Sequence, residues 1–223
     1  MPTHQKSLAA PALAVLALLA GAACSPGADA PSAKGDRGTA LAAVDTLTVK
    51  GRAPKTGYDR EKFGGAWTDV DRNGCGTRDD ILRRDLSGVR FKDGDHCKVA
   101  SGTLTDDPYT GRSVDFVRGR SKVDIDHVVA LSDAWQKGAQ KWDAGTRLRF
   151  ANDPLNLLAV DATANRRKSD GDAATWLPPN RAYRCTYVAR QIAVKKKYGV
   201  WVTGAERDAM KRVLGSCPDQ RLP

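Results

Sequence analysis

The sequence predicts an α+β fold built on a strand–strand–helix unit, with extra helices after it and an accessory segment before it. Three observations carry that prediction. A β-branched run, Val123 to Val129, and a second apolar run, Leu155 to Val160, each read as a strand. Between them Leu131, Ala134, Trp135, Gly138, Ala139 and Trp142 fall at helical spacing, so residues 131–142 predict one amphipathic helix inside a long β–β connection. After the second run, Asp161 can cap a short helix carrying Asn165 to Asp170, which Gly171 ends.

The elements then follow in chain order. Lys6 and the apolar run Leu8 to Ala20 form a leader too short for a comfortable membrane span, so residues 1–24 read as a signal peptide. Two fates are open at its end. Small residues before Cys24 resemble a lipobox, in which that cysteine is lipidated and attaches the chain to the membrane. Alternatively, Ala20-Gly21-Ala22 is a cleavage site and the chain is released. Both make it an exported protein, at the cell surface or secreted.

Residues 25–50 read as a flexible tether, rich in Ala, Gly, Pro, Ser and Asp as far as about Ala40 and denser from Leu41. Residues 51–120 form the accessory part, with a helix over Asp79–Leu86, a turn at 107–111 and strands on either side of Gly119. Residues 121–217 hold the core unit and two last helices. One runs from Tyr183 to Tyr198 and stops at Gly199; the other opens on the capping box Thr203-Gly204-Ala205-Glu206 and runs to Leu214.

Beyond Cys24, four cysteines remain. Pairs that each stay within one segment and avoid the central run are Cys75–Cys97 and Cys185–Cys217. A structural zinc site is the rival, and no C-x-x-C or C-x-x-H pair supports it. The formal net charge of +10 favours a polyanionic partner: nucleic acid, an anionic membrane or an acidic wall polymer. Charge alone does not choose among them, and no feature points to a protein partner.

The chemistry concentrates at Val123-Asp124-Ile125-Asp126-His127, at Asn156 in the second run and at Asn165-Arg166-Arg167-Lys168 on the short helix. An acid beside a histidine, then two asparagines, is what a one-metal phosphodiesterase needs. Asp126 and Asn165 supply oxygen ligands to one hard cation, Mg²⁺ foremost and Mn²⁺ next. His127 takes a proton from the attacking water. Asn156 is placed to orient His127 or tie the two strands, and Asp124 either supports the metal or faces solvent. Lys168, Arg166 and Arg167 are candidate phosphate contacts, and Lys195-Lys196-Lys197 a wider electrostatic footprint. Each residue alone has an ordinary structural reading; the order and spacing together make the functional one.

These motifs, D-I-D-H-V-V, N-D-P-L-N-L-L-A-V and A-N-R-R-K-S-D, resemble the HNH endonuclease superfamily. The nearest branch is that of small exported actinobacterial HNH proteins related to the C-terminal nuclease domain of GmrSD-type restriction enzymes. That resemblance covers about residues 55–217 and includes R-N-G-C-G-T-R-D-D-I-L at 72–82, D-P-Y-T-G at 107–111 and W-L-P-P at 176–179. It implies a ββα-metal core with His127 as general base, Asp126 and Asn165 as metal ligands and Asn156 as an orienting residue. It also implies hydrolysis of DNA, with little sequence specificity, to 5′-phosphate and 3′-hydroxyl ends. The alternative, from a different class, is a catalytically silent cell-surface protein that holds nucleic acid or another polyanion on its basic face.

Overall fold

A computed structural model describes residues 38–223. The leader, the junction at Cys24 and the expected tether as far as residue 37 lie outside the described residues. The remainder of that tether is folded, which corrects the boundary at residue 50. Helix α1, Ala40–Val44, opens on Thr39, whose hydroxyl accepts the Ala42 N–H. Ala40, Ala43 and Val44 are buried in the same cluster as residues of the two last helices, and backbone bridges join Thr39 to Arg221 and Val49 to Val202. The apolar letters from Leu41 to Leu47 bury themselves in the C-terminal half.

Helix α2, Thr77–Asp85, has Asp79 and Asp80 in its first turn and Arg83 and Arg84 in its last, matching the helix dipole at both ends. Strands β1, Ser87–Phe91, β2, Val99–Leu104, and β3, Val114–Val117, form an antiparallel sheet in that order. A disulfide joins Cys75, just before α2, to Cys97, just before β2.

Strand β4, Val123–His127, pairs antiparallel with β5, Leu157–Asp161, and places His127 opposite Leu157 and Asp126 opposite Leu158. The strand ends at His127 rather than Val129, because the Val129 N–H turns to the Asn156 side chain, 2.8 Å away. Both faces of this ribbon are covered. Val123, Ile125, Leu157 and Ala159 pack with α2 and the three-stranded sheet, while Leu158 and Val160 pack towards the C-terminal helices.

The single helix expected over residues 131–142 is broken. Helix α3, Leu131–Trp135, gives way at Gly138, whose φ of 127° suits no residue with a side chain, and a 3₁₀ turn follows at Ala139–Lys141. Helix α4, Ala144–Ala151, comes next, with Asp143 accepting the Thr146 N–H at 2.7 Å. Only Phe150 of α4 is fully buried, so no apolar period announces this helix.

Helix α5, Ala162–Lys168, follows β5 directly and is capped by Asp161, which accepts the Ala164 N–H at 2.7 Å. Helix α6, Arg184–Tyr198, ends at Gly199 in the left-handed conformation, with φ 67°. Helix α7, Gly204–Leu214, starts on Thr203, whose hydroxyl accepts the Glu206 N–H. The reciprocal half of that capping box is absent, because the Glu206 side chain turns inward to Lys137 and Lys195. A second disulfide, Cys185–Cys217, ties the start of α6 to the chain beyond α7. Closing loops of this size stabilises a fold by roughly 3 kcal/mol each in the chain-entropy account.

A buried charge cluster joins these helices. Lys137 Nζ lies 2.7 Å from Asp133, 2.8 Å from Asp172 and 2.6 Å from Glu206. Lys195 reaches Glu206 at 2.9 Å and Asp133 at 3.3 Å, and Arg52 covers the rim from Asp133 and Asp172. Lys195 is therefore internal and adds nothing to a surface footprint. Lys197 pairs with Asp153 at 2.6 Å, which leaves Lys196 as the member of that triplet without an ion pair among the described residues. Among the described residues, no helix is long and apolar enough to cross a membrane.

Candidate active site

The site lies where β4 ends and α5 crosses the ribbon. Residues two apart on a strand share a face, so Asp124 and Asp126 both turn towards α5. Asn165 and Lys168, three apart on that helix, share the face that meets them. Asn165 Nδ2 donates to Asp124 Oδ2 at 3.2 Å. Lys168 Nζ sits 3.0 Å from the Asp126 carboxylate and donates to the His127 carbonyl at 2.8 Å. The Tyr109 hydroxyl donates to Asp126 Oδ2 at 2.5 Å.

Lys168 thus differs from its expected place at the substrate. Its side chain is fully buried and acts as counter-ion beneath Asp126. Burial pushes the Asp126 carboxyl above the usual carboxylate range, and the ammonium of Lys168 and the hydroxyl of Tyr109 pull against that rise.

His127 points to the opposite side of the strand from Asp126. Its Nε2 lies 2.8 Å from the Ala151 carbonyl. A carbonyl only accepts, so Nε2 carries the proton and Nδ1 is left with a lone pair. Burial pushes the imidazole pKa down to about 3, against the hydrogen bond to Ala151, and the charges of Arg60 and Lys168 add to the fall. The ring is therefore neutral at pH 7.

Asn156 acts one step away and makes no hydrogen bond to His127 among the described residues. Fully buried, it accepts the Val129 N–H through Oδ1, and its Nδ2 donates to the carbonyls of Val129 at 3.3 Å and Phe150 at 3.5 Å. It fastens the chain after His127 to the end of α4, whose next carbonyl, Ala151, holds the imidazole. Arg84 and Arg190 brace the same corner, both donating to the carbonyls of Pro154 and Leu157.

Asp124, Asp126, His127 and Asn165 line one open cleft of about 500 Å³. Its far wall comes from the accessory segment: Lys55, Tyr58, Arg60, Trp67 and Arg78. The Trp67 ring lies 6.3 Å from the His127 ring and nearly parallel to it. Sequence reasoning gave none of these five a role, although Arg78 stands in the motif quoted at 72–82, and no periodic signal marks them. Arg166 and Arg167 are exposed on α5 and do not line this cleft. Arg166 donates to Thr163 within its own helix, and Arg167 borders a separate groove with Arg112, Arg120 and Lys122.

The oxygens at the cleft suit a hard divalent cation. The carboxylates of Asp124 and Asp126 and the amide oxygen of Asn165 form an all-oxygen set with no thiolate or imidazole, the kind that Mg²⁺ or Mn²⁺ takes. An ionised carboxylate has about four acceptor positions, so Asp126 keeps room for an ion beside Tyr109 and Lys168. Among the described residues, the cluster of cysteine and histidine closest to a metal-binding set is Cys75, His96 and Cys97, and its two sulfurs are bonded to each other.

An α+β chain whose ββα unit brings an acid, a histidine and an asparagine to one cleft is an HNH-type domain. Residues 76–213 match the family described as GmrSD restriction endonucleases, C-terminal domain, and the chain belongs to that family. It is also 40% identical over 181 residues to an "Uncharacterized secreted protein" of Arthroderma benhamiae, across 80% of this chain and 85% of that one. That relative does not come from an actinobacterium, so it lends the bacterial branch no support. No solved structure matches.

Proposed function

We propose that this chain is an exported, metal-dependent endonuclease that hydrolyses phosphodiester bonds of nucleic acid, DNA foremost, with little sequence specificity. The observation that carries this reading is His127, fixed through Nε2 with the Nδ1 lone pair left free to accept a proton, in the cleft that Asp124, Asp126 and Asn165 share. The family supports a nuclease domain, and the leader and the secreted relative support export. A bound divalent ion supplies Lewis-acid stabilisation of charge on the phosphate and the departing oxygen. Asp126 and Asn165 hold it, with Asp124 beside them. His127 Nδ1 takes the proton from the attacking water, and the Ala151 carbonyl keeps the imidazole in the tautomer that can do so. Asn156 keeps that carbonyl in place.

The test is nicking of supercoiled plasmid by the purified, oxidised protein with Mg²⁺, with Mn²⁺ and with excess EDTA. Nicking that needs metal supports the nuclease. DNA binding without cleavage under either metal favours the silent polyanion-binding protein instead.

The rate should also keep its neutral-pH value further into acid than an ordinary histidine allows. The folded pKa of His127 lies below its solvated value of 6.5, so the base form persists as pH falls through 6.5. A pH–rate profile at saturating metal is expected to be flat between pH 7.5 and about 6. A midpoint at 6.5 would mean that the imidazole is solvated in the working enzyme.

A further inference from the structure

We propose that Arg60 and Arg78 are the cations that grip the substrate's phosphates, so the accessory segment forms the substrate-binding half of the cleft. This rests on the nuclease reading for the identity of the ligand and on geometry for the rest. Both arginines line the cleft with Asp126, His127 and Asn165. Among the described residues, neither forms an ion pair with a carboxylate or donates a hydrogen bond to any protein group. Other cations nearby are already engaged: Lys55 is 3.1 Å from Asp170, and Lys168 is buried under Asp126. Two guanidinium groups facing a metal-ligand set without an anion of their own form a socket for one. A planar fork of donors matches phosphate oxygens in pairs.

Both are held on anchored backbone. Arg60 opens a 3₁₀ turn, Arg60–Phe63, capped by Asp59 and pinned by Phe63, which is buried against Phe150 and Trp135. Arg147 ties the same turn down by donating to the Lys62 carbonyl at 2.8 Å. Arg78 stands in the first turn of α2, with its guanidinium 5.9 Å from the centre of the Trp67 ring. The Thr77 hydroxyl, bonded to the Thr68 carbonyl at 2.5 Å, locks Trp67 to that turn. The two arginines therefore share the cleft with His127, one on each anchored turn, and can take phosphates along a strand that crosses it. The family match begins at residue 76, so Arg60 lies outside it.

The experiment measures binding and cleavage separately on the full mature chain. Binding is read by anisotropy of a labelled DNA oligonucleotide in EDTA, over a range of salt, and cleavage by plasmid nicking in Mg²⁺. Arg60→Ala and Arg78→Ala are each expected to weaken binding about tenfold. Each should also reduce the slope of log affinity against log salt by about 0.7–0.9, the share of one phosphate contact. Cleavage should fall at least as much as binding. Arg60→Lys and Arg78→Lys should recover the slope but not the full rate, because the charge returns without the fork. Thermal midpoints close to the wild-type value confirm folding, as expected for side chains that form no ion pair or hydrogen bond among the described residues, Arg78 giving up only its contact with the Trp67 ring.

Wild-type binding and cleavage in Arg60→Ala and Arg78→Ala, with the loss found in Arg166→Ala or Arg167→Ala, overturns the proposal and leaves the nuclease standing. Arginine-dependent binding without any cleavage keeps the socket and sinks the nuclease. A wild-type chain that neither binds nor cleaves removes both.

Discussion

His127→Ala lowers the rate of plasmid nicking by about 10²–10⁴-fold, the usual worth of a positioned general base. On the proposed mechanism the loss falls on kcat, because a general base acts on the water rather than on the strand. Affinity for an oligonucleotide in EDTA stays within about twofold. The fold survives, since the change exposes one carbonyl, Ala151, at the edge of an open cleft. Its stability cost is on the order of 1–3 kcal/mol, the range for leaving one polar group unsatisfied. Single-turnover cleavage and oligonucleotide binding on the same preparation separate the two effects. A variant that cuts within tenfold of the wild type would remove His127 from the chemistry and leave it a structural residue.

Lys137→Met has the largest expected effect on stability. The ammonium of Lys137 stands among Asp133, Asp172 and Glu206, all three within 2.8 Å of it. Lys195 and Arg52 cannot neutralise three buried carboxylates alone. Removing one partner of a buried ion network typically costs about 3–5 kcal/mol, mostly through the charge left behind. Denaturant unfolding should show the midpoint drop with an unchanged slope, and melting should fall by roughly 10 °C. A loss under about 1 kcal/mol would show that water enters the cluster.

The same cluster sets an acid limit. Burial alone raises the Asp172 carboxyl, but Lys137, Arg52 and the Ala174 N–H outweigh it and hold the group below its ordinary value of 3.8. A carboxyl held low in the folded state stabilises fully above that ordinary value. It loses the contribution as pH falls through its folded value. Stability therefore declines in that acid window, and the decline is shallower in Lys137→Met.

What was legible in the sequence is local. The ribbon of β4 and β5 showed as two apolar runs, α5 as a cap and a stop, and α6 and α7 as apolar periods ended or opened by Gly199 and Thr203. Asp126, His127 and Asn165 reach one cleft because those elements are short and adjacent. What was illegible is non-local or belongs to the backbone. Helix α4 buries little, and its contribution to the site is a carbonyl, which no letter encodes. Lys168 reads as a surface cation, and only the packing of α5 against β4 shows it beneath Asp126. Arg60, Trp67 and Arg78 stand about 50 to 70 residues before His127, at no spacing that links them to it; only the fold brings them across the cleft.

The bond between Cys75 and Cys97 has a consequence for timing. Cys75 sits in the bend between Trp67 and Arg78, so one covalent link fastens the wall that faces His127. In a reducing cytosol that link is not made, and the wall stands on an unclosed loop. The fully assembled cleft belongs to the oxidising side of the membrane, so export and maturation become one event.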